Sequence, residues 1–122
     1  MLRKPKWGCV FNGPGRLGYH PGVPKAWLSF NGSGTPAITV SRNCTSITDN
    51  GVGDFTVNLT TAFSSADYCA VGLARNSGAG TESIVTASGT KSASAERFEV
   101  VQTVSGNNHD STEINIAFLG DQ

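Results

Sequence analysis

Charge is scarce in this chain. Asp, Glu, Lys and Arg make up 15% of its 122 residues, against about 25% in an ordinary soluble domain. Histidine occurs only at His20 and His109, and cysteine only at Cys9, Cys44 and Cys69. No apolar run is long enough to span a bilayer. The start, Met1-Leu2-Arg3-Lys4-Pro5-Lys6-Trp7, passes into Gly and Pro rather than an apolar stretch, so neither a signal peptide nor membrane contact is expected. Three cysteines cannot all pair, and their spacing matches neither a zinc ribbon nor a CxxC redox pair. Cys44 and Cys69 sit in or beside apolar strand patterns and read as buried reduced thiols, with a Cys44–Cys69 bridge left open.

The chemistry-bearing residues are equally thin. His109 lies beside Asp110, yet no recognisable motif places a nucleophile or a second set of ligands around it. The carboxylates are scattered singly, whereas a glycosidase needs two facing one cleft. Asp49 and Asp54 flank Asn50-Gly51-Val52-Gly53, which suits a turn better than a loop calcium site. Asn12-Gly13-Pro14-Gly15 and Asn31-Gly32-Ser33-Gly34 are turn sequences, and neither opens a helix as a phosphate-binding loop must. The sequons at Asn31, Asn43 and Asn58 are the chance matches a Ser/Thr/Asn-rich chain produces. No catalytic residue, metal ligand or cofactor is therefore assigned, and the chain is not read as an enzyme.

What is present instead is Ser, Thr, Asn and Gly, interleaved with short apolar alternations. Asp54 to Phe63 sets Phe55, Val57 and Leu59 against Thr56, Asn58 and Thr60. Such a period-two pattern, bounded by Gly, Asn and Asp, marks a strand with one buried face. Strands are expected at Lys25–Phe30, Ala37–Asn43, Asp54–Thr61, Tyr68–Arg75, Glu82–Ala87, Arg97–Val104 and Ile114–Leu119. Thr48-Asp49-Asn50-Gly51 reads as a turn, Tyr68–Leu73 as a central strand, and Gly106–Asp110 as a hairpin-type connection. Lys91–Glu96 reads as strand or loop rather than a helical turn. The last strand is expected inside a sheet. This spacing predicts an all-β fold, an antiparallel β-sandwich or jelly roll. Its core or subunit interface should hold Trp27, Phe30, Ile38, Val57, Leu59, Val71, Ile84, Val100, Ile114, Ile116 and Phe118.

Two segments follow from composition. Residues 25–122 form the β-domain. Residues 1–24 hold four of the five prolines, which exclude a helix or a central strand. Their apolar side chains, Trp7, Phe11 and Tyr19 among them, need a surface to lie on. The charge is uneven as well. Arg3, Lys4, Lys6, Arg16, Lys25 and Arg42 all precede the first acid, Asp49. The N-terminal segment is thus expected to be an extended docking arm, with Arg3, Lys4, Lys6, Trp7, Phe11 and Tyr19 making the contacts. Four charges over the first sixteen residues are too sparse a footprint for nucleic acid. An acidic protein surface, including that of another copy, suits the arm better.

The wording of three stretches carries a resemblance. They are Lys25-Ala26-Trp27-Leu28-Ser29-Phe30-Asn31-Gly32-Ser33-Gly34-Thr35, then Ser46-Ile47-Thr48-Asp49-Asn50-Gly51-Val52-Gly53-Asp54-Phe55-Thr56-Val57-Asn58-Leu59, then Asp67-Tyr68-Cys69-Ala70-Val71-Gly72. Together they resemble the domain at the C-terminal end of many phage tail-fibre and tail-associated proteins. Those domains read K-A-W-V-x-F-N-G-T-G-T, S-I-T-D-N-G-T-G-D-Y-T-V-N-F and D-Y-x-V-x-G. The resemblance covers roughly the last hundred residues and brings no catalytic motif. It implies a virion structural protein, assembled in the host cytoplasm, that associates with itself as a homotrimer or another closed oligomer. The arm would mount it on other virion proteins of the tail, baseplate or capsid. The loop Asn107, Asn108, His109 and Asp110 would face the host receptor, a surface glycan or protein. Such domains usually end a long fibre, whereas only a short arm precedes this one, which suits a separate subunit or adaptor. A capsid decoration (cement) protein is the alternative. A small polysaccharide-degrading enzyme ranks below both, for want of paired carboxylates.

Overall fold

The structure, a computed structural model, describes residues 22–75 and 81–122. It is all-β. In chain order the strands are β1 (Ala26–Asn31), β2 (Ala37–Arg42), β3 (Cys44–Gly51), β4 (Asp54–Leu59), β5 (Cys69–Ala74), β6 (Glu82–Ser92), β7 (Ala95–Gln102) and β8 (Ile114–Leu119). They form two antiparallel four-stranded sheets, ordered β2-β1-β8-β5 and β3-β4-β7-β6. The sheets pack face to face as a β-sandwich.

Alternation along four strands explains the packing. β1 turns Ala26, Leu28 and Phe30 inward, β4 turns Phe55, Val57 and Leu59, β7 turns Phe98 and Val100, and β8 turns Ile114, Ile116 and Phe118. These are the inner strands of each sheet, so their inward rows meet at the centre of the sandwich. The rings interlock edge to face, with Phe30 against Phe55 at 5.4 Å and Phe98 against Phe118 at 5.9 Å, an arrangement that adds to the area buried. Phe63 and Tyr68, from the connection between β4 and β5, close one end and stack at 4.4 Å. The Tyr68 hydroxyl donates to the carbonyls of Ser92 (2.9 Å) and Ala95 (3.2 Å), which fastens that connection to the β6–β7 hairpin.

Asn43 makes the corner between the sheets. It takes a left-handed backbone (φ 57°), a conformation Asn tolerates better than most residues. Its Oδ1 accepts from Thr61 N–H at 2.6 Å, and its Nδ2 donates to the carbonyls of Thr61 (3.0 Å) and Lys25 (3.2 Å). The side chain thereby satisfies three backbone groups from two other segments at the turn.

Three expectations are corrected. Thr48-Asp49-Asn50-Gly51 is not a turn but the end of β3, an eighth strand paired with β4. Its polar wording reflects its position at the sheet edge. Only Cys44 and Ile47 of this strand pack against the core. Tyr68–Leu73 is not central, because β5 pairs only with β8. Gly106–Asp110 does not join a hairpin, since β7 and β8 belong to different sheets. Trp27 and Val71, expected in the core or a subunit interface, lie on the outer face of the first sheet, while Phe30, Val57, Leu59, Val100, Ile114, Ile116 and Phe118 are buried in the core. Ile38 and Ile84 pack at the core's margin. β8 lies between β1 and β5, inside its sheet as anticipated.

Candidate interaction surface

Register decides what the outer face of the first sheet presents. Trp27 pairs with Arg42 and with Ala117, and Ala117 pairs with Val71, so these four form one outward row across β2, β1, β8 and β5. The next outward row, by the same pairings, is Val40, Ser29, Asn115 and Leu73. Trp27, Val40, Val71 and Leu73 are the large apolar side chains of these rows, and Ser29, Ala117 and Asn115 lie between them. The result is an open trough of about 630 Å³. Trp27 and Val40 form one wall, Val71 and Leu73 the other, and Ser29, Ala117 and Asn115 the floor.

The trough is exposed among the described residues. Trp27 is 37% exposed, Val40 48%, Val71 55% and Leu73 78%. Single exposed apolar residues, such as Val52 and Val104 in the turns, are ordinary. A contiguous apolar set rimmed by polar groups is different, because water is unfavourable over its whole area and a partner relieves that. Polar groups do frame it: Arg42 at one flank, and beyond Asn115 the Glu113–Arg75 pair at 3.3 Å. The Asn115 amide and the Arg75 guanidinium hold the Glu113 carboxyl below its ordinary range.

The expected receptor loop serves partly as a fastening. Asp110 Oδ1 accepts from Gly53 N–H at 2.8 Å, and His109 N–H donates to the Val100 carbonyl at 2.9 Å. His109 Nδ1 lies 2.7 Å from the almost fully buried Glu82 carboxylate. These contacts tie the loop to the β3–β4 turn, β6 and β7, while Asn107 and Asn108 face solvent. Asp49 and Asp54 do not share an ion site. Asp49 Oδ1 caps Gly51 N–H at 3.0 Å, and the Arg97 guanidinium grips Asp54 in a two-pronged pair, Nε to Oδ1 at 2.7 Å and Nη2 to Oδ2. That grip holds the Asp54 carboxyl below the usual range. Among the described residues no group of three or more His, Cys, Asp or Glu could hold a metal ion, and no helix is long and apolar enough to cross a membrane.

Cys44 and Cys69 are unpaired, on β3 and β5 in different sheets. Cys44 is half-buried, and burial pushes its thiol up to about 11. Cys69 is exposed rather than buried. Arg3, Lys4, Lys6, Trp7, Phe11 and Tyr19 lie outside the described residues, as does most of the connection at 76–81. The trough itself had one signal in the sequence. Cys69-Ala70-Val71-Gly72-Leu73 is apolar on both faces, which reads as a strand covered on both sides. On an edge strand the same run leaves one apolar face outward.

Fold and surface together describe a β-sandwich with an apolar trough on one outer face. No family model matches this chain, and no curated protein or solved structure matches it.

Proposed function

We propose that this chain is a phage virion structural protein, a tail-fibre or tail-associated subunit that associates with copies of itself and is mounted through its N-terminal segment. The observation that carries the association is the trough. A chain this sparing in charge keeps Trp27, Val40, Val71 and Leu73 on one outer face, and a structural subunit gains by covering that face against a neighbour. The virion assignment rests on the sequence resemblance and is supported by a sandwich that matches the expected fold. The mount is the basic segment with Arg3, Lys4, Lys6, Trp7, Phe11 and Tyr19. It complements residues 22–122, in which acids outnumber bases by nine to five. Asn107 and Asn108, facing solvent at the end of the sandwich, are the amides offered to a host glycan or protein.

The test is particle incorporation. A labelled subunit imaged on purified particles should appear at the tail. Deleting Met1 to Tyr19 should leave the β-domain folded but missing from particles. Normal incorporation of the shortened chain would remove the mounting role from the segment. Absence of the intact chain from particles would remove the virion reading altogether.

A further inference from the structure

We infer that the trough on the β2-β1-β8-β5 sheet receives residues 1–21 of a neighbouring copy, so that arm and trough form a head-to-tail contact. The inference rests on the reading of the chain as a self-associating subunit.

Shape argues for this occupant first. The trough is open, with walls of Trp27 and Val40 on one side and Val71 and Leu73 on the other. The walls stand above a floor of Ser29, Ala117 and Asn115, and bulky side chains of an extended chain fill that depression better than a second flat sheet does. Residues 1–21 are such a chain by composition. Pro5, Pro14 and Pro21 favour extended backbone, and Trp7, Val10, Phe11, Leu17 and Tyr19 supply the apolar side chains.

Reach and charge agree. Twenty-one residues span at most about 70 Å when extended, at about 3.3 Å each, several times the length of β1. The segment carries four basic residues and no acid, and the described body is acidic. Opposite charge raises the encounter rate of two such surfaces.

Symmetry selects the neighbour's arm. Two troughs stacked on each other would make an isologous contact, which closes at a dimer. An arm in the next copy's trough is heterologous, the kind of contact that closes rings of three or more. A homotrimer, the first of the closed oligomers expected, requires the second kind.

Two full-length variants test the contact. Trp7→Ala damages the arm and leaves the trough whole. Leu73→Asp places a charge in the trough and leaves the arm whole. Leu73 is 78% exposed, so the aspartate should leave the urea midpoint and far-UV spectrum unchanged. Sedimentation should show a closed oligomer for the parent chain and monomers for each variant alone. Each variant should self-associate at least about 30-fold more weakly, the equivalent of losing an aromatic anchor of about 2 kcal/mol at 1.4 kcal/mol per tenfold. Mixed one to one, the variants should form a heterodimer, because the intact arm of one meets the intact trough of the other.

A monomeric parent chain overturns the inference. So does a Trp7→Ala variant that still assembles, which is the result that stacked troughs predict. A mixture that stays monomeric overturns it too. The virion reading is judged separately. Particles that carry the subunit while the variants assemble normally would keep that reading and remove this one. A chain that passes the mixing test but never appears on particles would do the reverse.

Discussion

Two glycines with nearly the same backbone separate conformational strain from steric contact. Gly53 sits at φ 61° and Gly34 at φ 68°. Both are left-handed positions, where an alanine costs roughly 1–2 kcal/mol. Removing a glycine also restricts the unfolded chain, which returns about 0.4–1 kcal/mol. At Gly34 nothing lies within 4 Å of an added Cβ, so Gly34→Ala should lose about 1 kcal/mol.

At Gly53 the same Cβ would meet His109 N at 2.6 Å, His109 O at 2.7 Å and Val100 O at 2.8 Å. All three are backbone atoms, and no rotamer change can move them. The loop must lift from β7 instead. That loosens Val100 N–H to Gly53 O (2.7 Å), His109 N–H to Val100 O (2.9 Å) and Gly53 N–H to Asp110 Oδ1 (2.8 Å). At about 1 kcal/mol each, Gly53→Ala should lose about 4 kcal/mol in all. Urea unfolding separates the two. With a slope of about 1.5 kcal/mol/M, the Gly53 variant should melt at a midpoint about 2 M lower than the Gly34 variant. Midpoints within about 0.3 M of each other would refute the reasoning, since they would show that the loop gives way without losing its bonds.

Three other outcomes are expected. Val57, fully buried between the sheets, should lose roughly 1–3 kcal/mol on Val57→Ala, read by the same urea titration. Burial raises the Glu96 carboxyl above its ordinary range, against the opposing pull of Lys91 and Tyr68. Its contribution to stability is therefore complete below the unfolded value and declines as pH rises through the folded one. Glu96→Gln should accordingly gain stability over the parent chain at pH 7 and lose that advantage near pH 4, and a pH-independent difference would contradict this. Asp54, held low by Arg97, behaves oppositely, so Asp54→Asn should flatten the acid limb of the stability profile as pH falls below the usual carboxylate range. Finally, alkylation at pH 8 followed by mass mapping should label exposed Cys69 well before Cys44, whose thiol is half-buried and pushed up to about 11.

The sequence by itself determined the class of the fold and most of its inner strands. Alternation in Asp54–Leu59 and Ile114–Leu119 is local, because side chains point to opposite faces at every step, and it needs no knowledge of neighbours. The inward rows Phe55, Val57, Leu59 and Ile114, Ile116, Phe118 could therefore be read directly. Tertiary structure alone decided which strands stand at an edge and which connection crosses between sheets. β3 is written in turn residues because one flank is unpaired, and β5 is written like a covered strand although one face is open. Trp27 looked like core because it is large and apolar, although Ser29 and Asn31 share its face while Ala26, Leu28 and Phe30 hold the other. Its row became visible only when pairing set it beside Ala117 and Val71. Long-range pairing is chosen by the whole chain at once, and a trough assembled from β1, β2, β5 and β8 therefore has no contiguous signature in the sequence.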